Sequence, residues 1–145
     1  MIIPDANLLI YAYDETSPHH AVARAWWERV LSGREVVGIP WIVVLAFCRL
    51  MTHPVISRNP MSVQQVRKAV QQWLDLDHVR YLSPSTHTFE YFFALLEEAG
   101  TGGNLCTDAM IAALAIEQDG TLYSNDADFA RFKGLSWKNP LAHRR

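Results

Sequence analysis

The feature that most constrains the fold is a regular alternation of short apolar segments with longer stretches of helical periodicity. The short segments are rich in Val, Ile and Leu, and the longer ones carry apolar residues three and four positions apart. Strands that are joined by helices favour right-handed crossovers and a parallel sheet with helices on both faces. We therefore predict an α/β fold of three layers with a central, mainly parallel sheet, formed by a single domain over residues 1–145.

The pattern also predicts where the elements lie. Ser17 and Pro18 form a typical helix start, Ser62 and Gln65 form a capping box, and Gly100 is a typical helix end. The predicted strands cover residues 1–3, 36–39, 79–82, 121–124 and 136–137. The predicted helices cover residues 6–12, 18–32, 41–51, 63–74, 89–99, 108–118 and 126–132, and the one over 41–51 is apolar enough to be buried.

Charge and composition exclude several classes of protein. The 13 Lys and Arg against 15 Asp and Glu give a net charge of −2, so the chain has no strong global attraction to nucleic acid or to a membrane surface. The two cysteines form no CxxC pair, which argues against a disulfide scaffold or a zinc knuckle. The N-terminus lacks a basic segment, and no apolar stretch reaches the roughly 20 residues of a membrane span. We expect a soluble, cytoplasmic protein without membrane contact.

Three aspartates follow predicted strands or begin a predicted buried helix. Asp5 follows the first strand, Asp126 follows the fourth strand, and Asp108 begins the helix before that strand. In parallel sheets ligands bind at the carboxyl ends of the strands, so the three carboxylates converge if the first and fourth strands are neighbours. Clustered carboxylates stay ionised only around a cation, and oxygen ligands favour Mg²⁺ or Mn²⁺. Such an ion is the usual apparatus for hydrolysing phosphodiesters.

Helix capping is the competing interpretation of the same residues. Each aspartate lies at a predicted helix start, where Asp is favoured by the backbone N–H groups and the helix dipole. Capping is the better explanation of any one of them alone. All three together, in one small domain, leave capping and a shared cation site about equally supported by the residues themselves.

Five short segments resemble the ordered motifs of PIN domains. They are IPDANLL at 3–9, PWIVV at 40–44, TDA at 107–109, SNDADF at 124–129 and NPL at 139–141. The closest resemblance is to VapC-type toxin ribonucleases of bacterial toxin–antitoxin pairs, and it covers essentially the whole chain. The resemblance implies a PIN-like fold, Mg²⁺- or Mn²⁺-dependent cleavage of tRNA or ribosomal RNA, a cognate VapB-like antitoxin and a homodimer.

The resemblance also implies roles for individual residues. Asp5 and Asp108 correspond to metal ligands, and Asp126 corresponds to the further acid that completes the site. Asp128 corresponds either to a cap of its short helix or to a supporting acid. The polar groups that support the ligands are Asn7, Thr107 and Ser124.

The chain departs from the family pattern on its third helix. PIN domains usually carry a Glu there, whereas this chain has Ala46, and no Asp or Glu occurs between Glu35 and Asp75. One ligand is therefore missing, which favours one ion over two.

Two alternatives stay open: a catalytically impaired PIN-like protein that binds RNA without cutting it, and a phospho-acceptor or phosphatase-like domain using Asp5. The second is weakened because the first strand is followed by Asp-Ala-Asn instead of the Asp-x-Asp of haloacid-type phosphatases.

Several cations are candidates for contact with RNA. Arg49 lies on the apolar third helix, where it is expected either to have a structural partner, an ion pair with the Asp cluster or a backbone carbonyl, or to contact a phosphate. For the remaining basic residues a solvated surface is the default interpretation, with contact to the RNA backbone as the alternative. They are Arg58, Arg67, Lys68 and the tail His143, Arg144 and Arg145.

Overall fold

A computed structural model of the chain describes residues 1–142, so the basic tail over 143–145 lies outside the described residues. The strands are β1 (Ile2–Pro4), β2 (Val37–Pro40), β3 (Val79–Leu82), β4 (Thr121–Tyr123) and β5 (Ser136–Lys138). The helices are α1 (Ala6–Tyr13), α2 (His20–Ser32), α3 (Trp41–Met51), α4 (Val63–Leu74), α5 (Thr86–Ala99) and α6 (Leu105–Glu117). A short 3₁₀ helix covers Ala127–Arg131.

The five strands form one parallel sheet in the order β3-β2-β1-β4-β5. This order confirms the predicted α/β class with a parallel sheet. β1 and β4 are neighbours in the centre, and Pro4 pairs with Tyr123 at their last residues. The residues that follow them, Asp5 and Ser124, therefore leave the sheet side by side at its carboxyl edge.

Helices join successive parallel strands, and the densest helix packing is between α5 and α6 and between α1 and α2. The apolar sequence of α6 is explained by its burial, because every residue from Ala109 to Ala115 is buried. On the other side of the core, the Trp73 ring contacts those of Phe47 and Trp27, and its indole N–H donates to the Tyr13 hydroxyl at 2.9 Å. The core thus holds the central strands rigidly from both faces.

Two helix boundaries agree with the sequence signals. The Ser62 hydroxyl accepts from the Gln65 backbone N–H at 3.1 Å, and the Gln65 side chain accepts from the Ser62 N–H at 2.9 Å, which is the predicted capping box. Gly100 ends α5 with a φ of 71°, a left-handed conformation that glycine adopts without strain.

The predicted start of α2 is wrong. The helix begins at His20, with His19 as its N-cap residue. The Ser17 hydroxyl accepts from the His19 N–H at 3.1 Å, and the Ser17 carbonyl accepts from the His20 N–H at 3.1 Å. Ser17 and Pro18 therefore form a separate turn before the helix. Ser and Pro suit turns as well as helix starts, so their presence alone does not separate the two.

The prediction that α3 is a buried helix is only partly correct. Val43, Phe47 and Met51 are buried, but the Leu45 side chain is 56% exposed. Arg49 is also exposed, and the described residues include no carboxylate paired with it. The predicted structural ion pair of Arg49 is therefore wrong, because an arginine in water needs no partner.

The other differences are small. Most strand and helix ends agree with the prediction or move by one residue, whereas α5 and α6 each begin three residues before their predicted starts at 89 and 108. The segment after Asp126 is a 3₁₀ helix of five residues, which is too short for an α-helix of ordinary length. Within residues 1–142, no helix has both the length and the apolarity that a membrane span requires.

Candidate active site

Asp5 lies at the centre of the carboxyl edge, between β1 and α1. It is 9% exposed, and its backbone N–H donates to the Tyr123 carbonyl at 2.9 Å, which fixes it against the end of β4. One carboxylate oxygen accepts from the Ala6 N–H at 2.7 Å, so Asp5 also caps α1. Burial raises the pKa of Asp5, and hydrogen bonds from Ser124 and Ala6 act in the opposite direction.

Ser124 connects the residues of this edge. Its buried hydroxyl donates to the Asp5 Oδ2 at 2.7 Å, and it accepts from the Asn7 amide at 3.2 Å and from the Asp126 backbone N–H at 3.0 Å. One hydroxyl therefore holds the β1–α1 junction against the loop after β4. Asn7 and Ser124 are two of the residues for which the family resemblance implies a supporting role, and that role stays a prediction.

Asp126 and Asp128 follow Ser124 in the loop after β4. Asp126 is the N-cap residue of the 3₁₀ helix, and its Oδ1 accepts from the Asp128 N–H at 2.9 Å. The cap of this helix is therefore Asp126, and the capping alternative for Asp128 is wrong. The Asp128 side chain is exposed in the first turn of that helix.

Asp108 lies in the first turn of α6, inside the helix, so it is not the N-cap residue. Its pKa is raised to about 6 by partial burial and by the negative charges of Asp5, Asp126 and Asp128, against a smaller opposing effect of Arg131. Four carboxylates from three separated segments thus repel one another across one end of the sheet. A positive charge between them would relieve that repulsion.

The donor set fits a hard cation, although the carboxylates do not form a ready-made site. Every contributing side chain ends in oxygen, which suits Mg²⁺ or Mn²⁺. The Asn7 side-chain oxygen is buried and has no hydrogen-bond partner in the described chain, so an acceptor is available beside Asp5. Over residues 1–142, however, no three His, Cys, Asp or Glu side chains have the arrangement that holds a metal ion. A shared ion therefore requires the carboxylates to move towards it.

Two of the predicted site residues, Thr107 and Arg49, are not part of the group of carboxylates and hydrogen bonds around Ser124. One residue that acts on this group, Arg131, was not predicted from the sequence. Thr107 is exposed beside Asp108 and forms no hydrogen bond to the aspartates within the described residues. Arg49 borders a cavity between α3 and α4. Arg131, which the sequence reasoning did not single out, acts on Asp108 as the nearby cation. Its position three residues after Asp128, one turn of a short helix, is the signal that could have found it.

The fold and site define an α/β domain with clustered carboxylates at the carboxyl edge of a parallel sheet. Residues 2–135 match the PIN domain family. The chain belongs to this family, and the fold prediction is thereby confirmed.

Curated relatives extend over the whole chain. It is 36% identical over 141 residues to Ribonuclease VapC33 of Mycobacterium tuberculosis, covering 97% of this chain and 99% of that protein. It is 37% identical over 142 residues to Ribonuclease VapC37 of the same organism, covering 98% and 99%. The predicted resemblance to VapC-type proteins is therefore confirmed.

Solved structures show the same fold at lower identity. A chain of the VapBC2 complex from Rickettsia felis, bound to a DNA fragment from its promoter, superposes with a TM-score of 0.66 at 24% identity, covering 96% of this chain and 98% of that one. Mycobacterium tuberculosis VapC20, described as a Sarcin-Ricin loop cleaving toxin, gives a TM-score of 0.69 at 17% identity, covering 94% and 99%.

Proposed function

We propose that the protein is a VapC-type toxin endoribonuclease that hydrolyses RNA phosphodiesters with a divalent cation, Mg²⁺ or Mn²⁺. The observation that carries this proposal is the position of Asp5 and Asp126 at the ends of adjacent strands, joined through the Ser124 hydroxyl, with Asp108 near enough that their charges add to the effect of burial and raise its pKa to about 6. Full-length similarity to two proteins named ribonucleases supports the reaction class.

The residues of the edge would share the work as follows. Asp5, Asp108 and Asp126 would hold the cation. The Ser124 hydroxyl orients Asp5 by donating to it at 2.7 Å, and the Asn7 amide acts through Ser124, to which it donates at 3.2 Å. When bound, such an ion activates water and neutralises the charge that develops on the phosphate. Asp128 adds negative charge beside the three ligands. The supporting role of Thr107 rests on the family resemblance alone. A carboxylate must be ionised to bind the cation, so cation affinity falls when the pH drops below about 6.

The first experiment removes the charge of one carboxylate while keeping its cap of α1. We expect Asp5→Asn to abolish cleavage of tRNA or ribosomal RNA in Mg²⁺ while the melting temperature in EDTA is maintained. The single amide oxygen still accepts from the Ala6 N–H, and removal of a buried negative charge offsets the loss of the acceptor for the Ser124 hydroxyl. Asp77→Asn is the matched control, since this exposed aspartate precedes β3 at the opposite edge of the sheet. An Asp5→Asn protein that cuts RNA as fast as the parent would overturn the proposal.

A second candidate is a PIN-like protein that binds RNA without cutting it. The observation that favours it is Ala46 on α3, together with the lack of any acid between Glu35 and Asp75. The first measurement is made on the unaltered protein. If it binds RNA but does not cleave it in Mg²⁺, this candidate is favoured. Ala46→Glu then tests the cause, and a large gain in cleavage would show that a missing ligand limits the parent.

We propose a VapB-like antitoxin as the protein partner, supported by the VapBC complexes among the structural neighbours. A cavity of about 530 Å³ between α3 and α4 offers it an apolar surface. Exposed Leu45 and Val63 lie on that cavity, and Arg49 and Arg67 border it, so an apolar segment with acidic flanks is the complementary ligand. Leu45→Asp should abolish co-purification with the antitoxin, and unchanged co-purification would reject this surface.

A homodimer in the cytoplasm completes the proposal. Phe89 and Phe93 are four positions apart on α5, are 44% and 56% accessible, and provide an apolar face for a second copy. Light scattering after gel filtration should give twice the 16.5 kDa chain mass. A monomer mass at micromolar concentration would reject the dimer.

A further inference from the structure

A second cleft opens beside the acidic edge, between α2 and the carboxyl ends of β4 and β5. It has a volume of about 480 Å³, which is in the usual range of small-ligand sites. The half-buried Tyr123 and Trp26, which is only 6% exposed, line it with aromatic rings whose centroids are 5.4 Å apart and whose planes are inclined by 34°. Arg29, Lys138 and Asn139 contribute the polar groups. No acidic residue lines the cleft within the described part of the chain.

The two cations of the cleft have no ion-pair partner in residues 1–142. Glu28, the acid beside Arg29 in sequence, pairs instead with Arg24 at 3.0 Å. Both Arg29 and Lys138 are exposed. Unpaired cations that converge on one cleft in a chain of net charge −2 mark a local site for an anion.

The cleft is attached to the loop that carries the acidic site. The Asn139 amide donates to the Asn125 side-chain oxygen at 3.0 Å, and the Trp137 indole N–H donates to the Ser124 carbonyl at 3.1 Å. Tyr123 directly precedes Ser124, and three residues of chain place the Cα atoms of Tyr123 and Asp126 at most about 11 Å apart. A strand whose phosphate reaches the carboxylates can therefore place an adjoining nucleotide in the cleft.

We propose that this cleft binds a nucleotide of the RNA strand next to the scissile phosphate, an inference that rests on the proposed ribonuclease function. Arg29 and Lys138 contact backbone phosphate, and the half-buried ring of Tyr123, backed by Trp26, packs against ribose or base. The Asn139 amide, which is bonded to Asn125 and to the Leu141 N–H, fixes the wall of the cleft. An acidic peptide is the competing ligand. Aromatic surface beside two cations favours RNA over a peptide that offers carboxylates alone.

The test measures RNA affinity separately from cleavage. In the Asp5→Asn background, the Kd of a fluorescently labelled single-stranded RNA is measured by anisotropy for the double variant Arg29→Gln and Lys138→Gln. Arg80→Gln is the control, because this exposed arginine lies on β3 at the far edge of the sheet. Arg29 and Lys138 are both exposed, so their replacement should not disturb the core. Equal melting temperatures of the variants and the background protein establish that the variants are folded.

We expect the double variant to raise the Kd about tenfold or more, and to lower the slope of log Kd against log salt by about 1.4, since each phosphate contact on a single strand contributes about 0.7. Arg80→Gln should change the Kd less than twofold. In the cleaving parent background, the same double change should raise KM more than it lowers kcat.

Each result separates this inference from the proposed function. If the parent cleaves RNA and the double variant keeps both its Kd and its salt slope, the cleft assignment is wrong while the ribonuclease stands. Loss of binding to a polyglutamate peptide with unchanged RNA affinity would overturn the assignment in favour of a protein ligand. If the double variant loses RNA affinity and the parent never cleaves, the cleft binds RNA, but the ribonuclease and the placement next to a scissile phosphate are both overturned. A parent that binds no RNA overturns both.

Discussion

Replacing Asp108 by Asn should stabilise the protein in the absence of metal. The carboxyl group has a pKa of about 6 in the folded chain against an ordinary value of 3.8. An acid with a raised pKa binds more protons in the folded state, so the free energy of unfolding falls as pH rises from about 4 to about 6. Above that range the destabilisation is complete, and the neutral amide avoids it.

The size of the effect follows from the same pKa values. A rise from 3.8 to about 6 corresponds to about 3 kcal/mol of unfolding free energy by linkage. Because Asp108 is only half-buried, solvent screens much of this energy, and we expect a gain of about 1 kcal/mol. For a chain of this length, that gain raises the melting temperature by about 2–4 °C.

Thermal melts in EDTA between pH 4 and pH 8 measure the prediction. Asp108→Asn should melt above the parent at pH 7.5, and the difference should disappear near pH 4, where the parent carboxyl group is protonated. Glu97→Gln, an exposed position on α5, should show no such pH-dependent gain. Added Mg²⁺ should stabilise the parent and not Asp108→Asn. If Asp108→Asn melts at or below the parent at every pH, the aspartates are not coupled and the reasoning is refuted.

Three further substitutions test other parts of the structure by urea denaturation. Ser124→Ala should lower the free energy of unfolding by about 1–3 kcal/mol and slow RNA cleavage, since Asp5 loses a buried hydrogen bond; unchanged stability and cleavage would contradict the role of this hydroxyl. Gly38→Ala should cost about 1–3 kcal/mol, because its new Cβ would lie 2.6 Å from the Met1 sulfur and 2.7 Å from Leu82; a neutral effect would show that β2 has room. Ser62→Ala should cost about 1 kcal/mol through loss of the capping box, and no change would mean that the box adds nothing.

Local signals were sufficient for most of the fold and for part of the site. Some signals act through residues that are neighbours in the sequence, so they can be recognised from a single sequence. They are the apolar runs, the capping box at Ser62 and the glycine at position 100. The convergence of Asp5 and Asp126 depended on a further condition, that β1 and β4 pair, and the sheet order meets it. Their position at the ends of adjacent parallel strands followed directly from that condition.

The remaining features depend on tertiary contacts that periodicity does not encode. The apolar sequence of α3 resembles that of a buried helix, but Leu45 is exposed, because the sequence of a helix that is apolar all round does not indicate which of its sides the core covers. The spacing of Arg131 from Asp128 indicates a cation near the acidic loop, but its effect on Asp108 depends on the fold bringing that loop near α6. Likewise, the cleft between Arg29 and Lys138 joins residues more than a hundred positions apart.

A crystal structure of the protein soaked with Mn²⁺ tests the central claim most directly. We predict one anomalous density peak at the carboxyl edge. Oxygens of Asp5, Asp108 and Asp126 should coordinate this ion, either directly or through one water, and the direct contacts should be about 2.1–2.2 Å long. The side chains should have moved together from their present arrangement. A structure in which the three carboxylates stay apart at saturating Mn²⁺, with no peak between them, would contradict the claim.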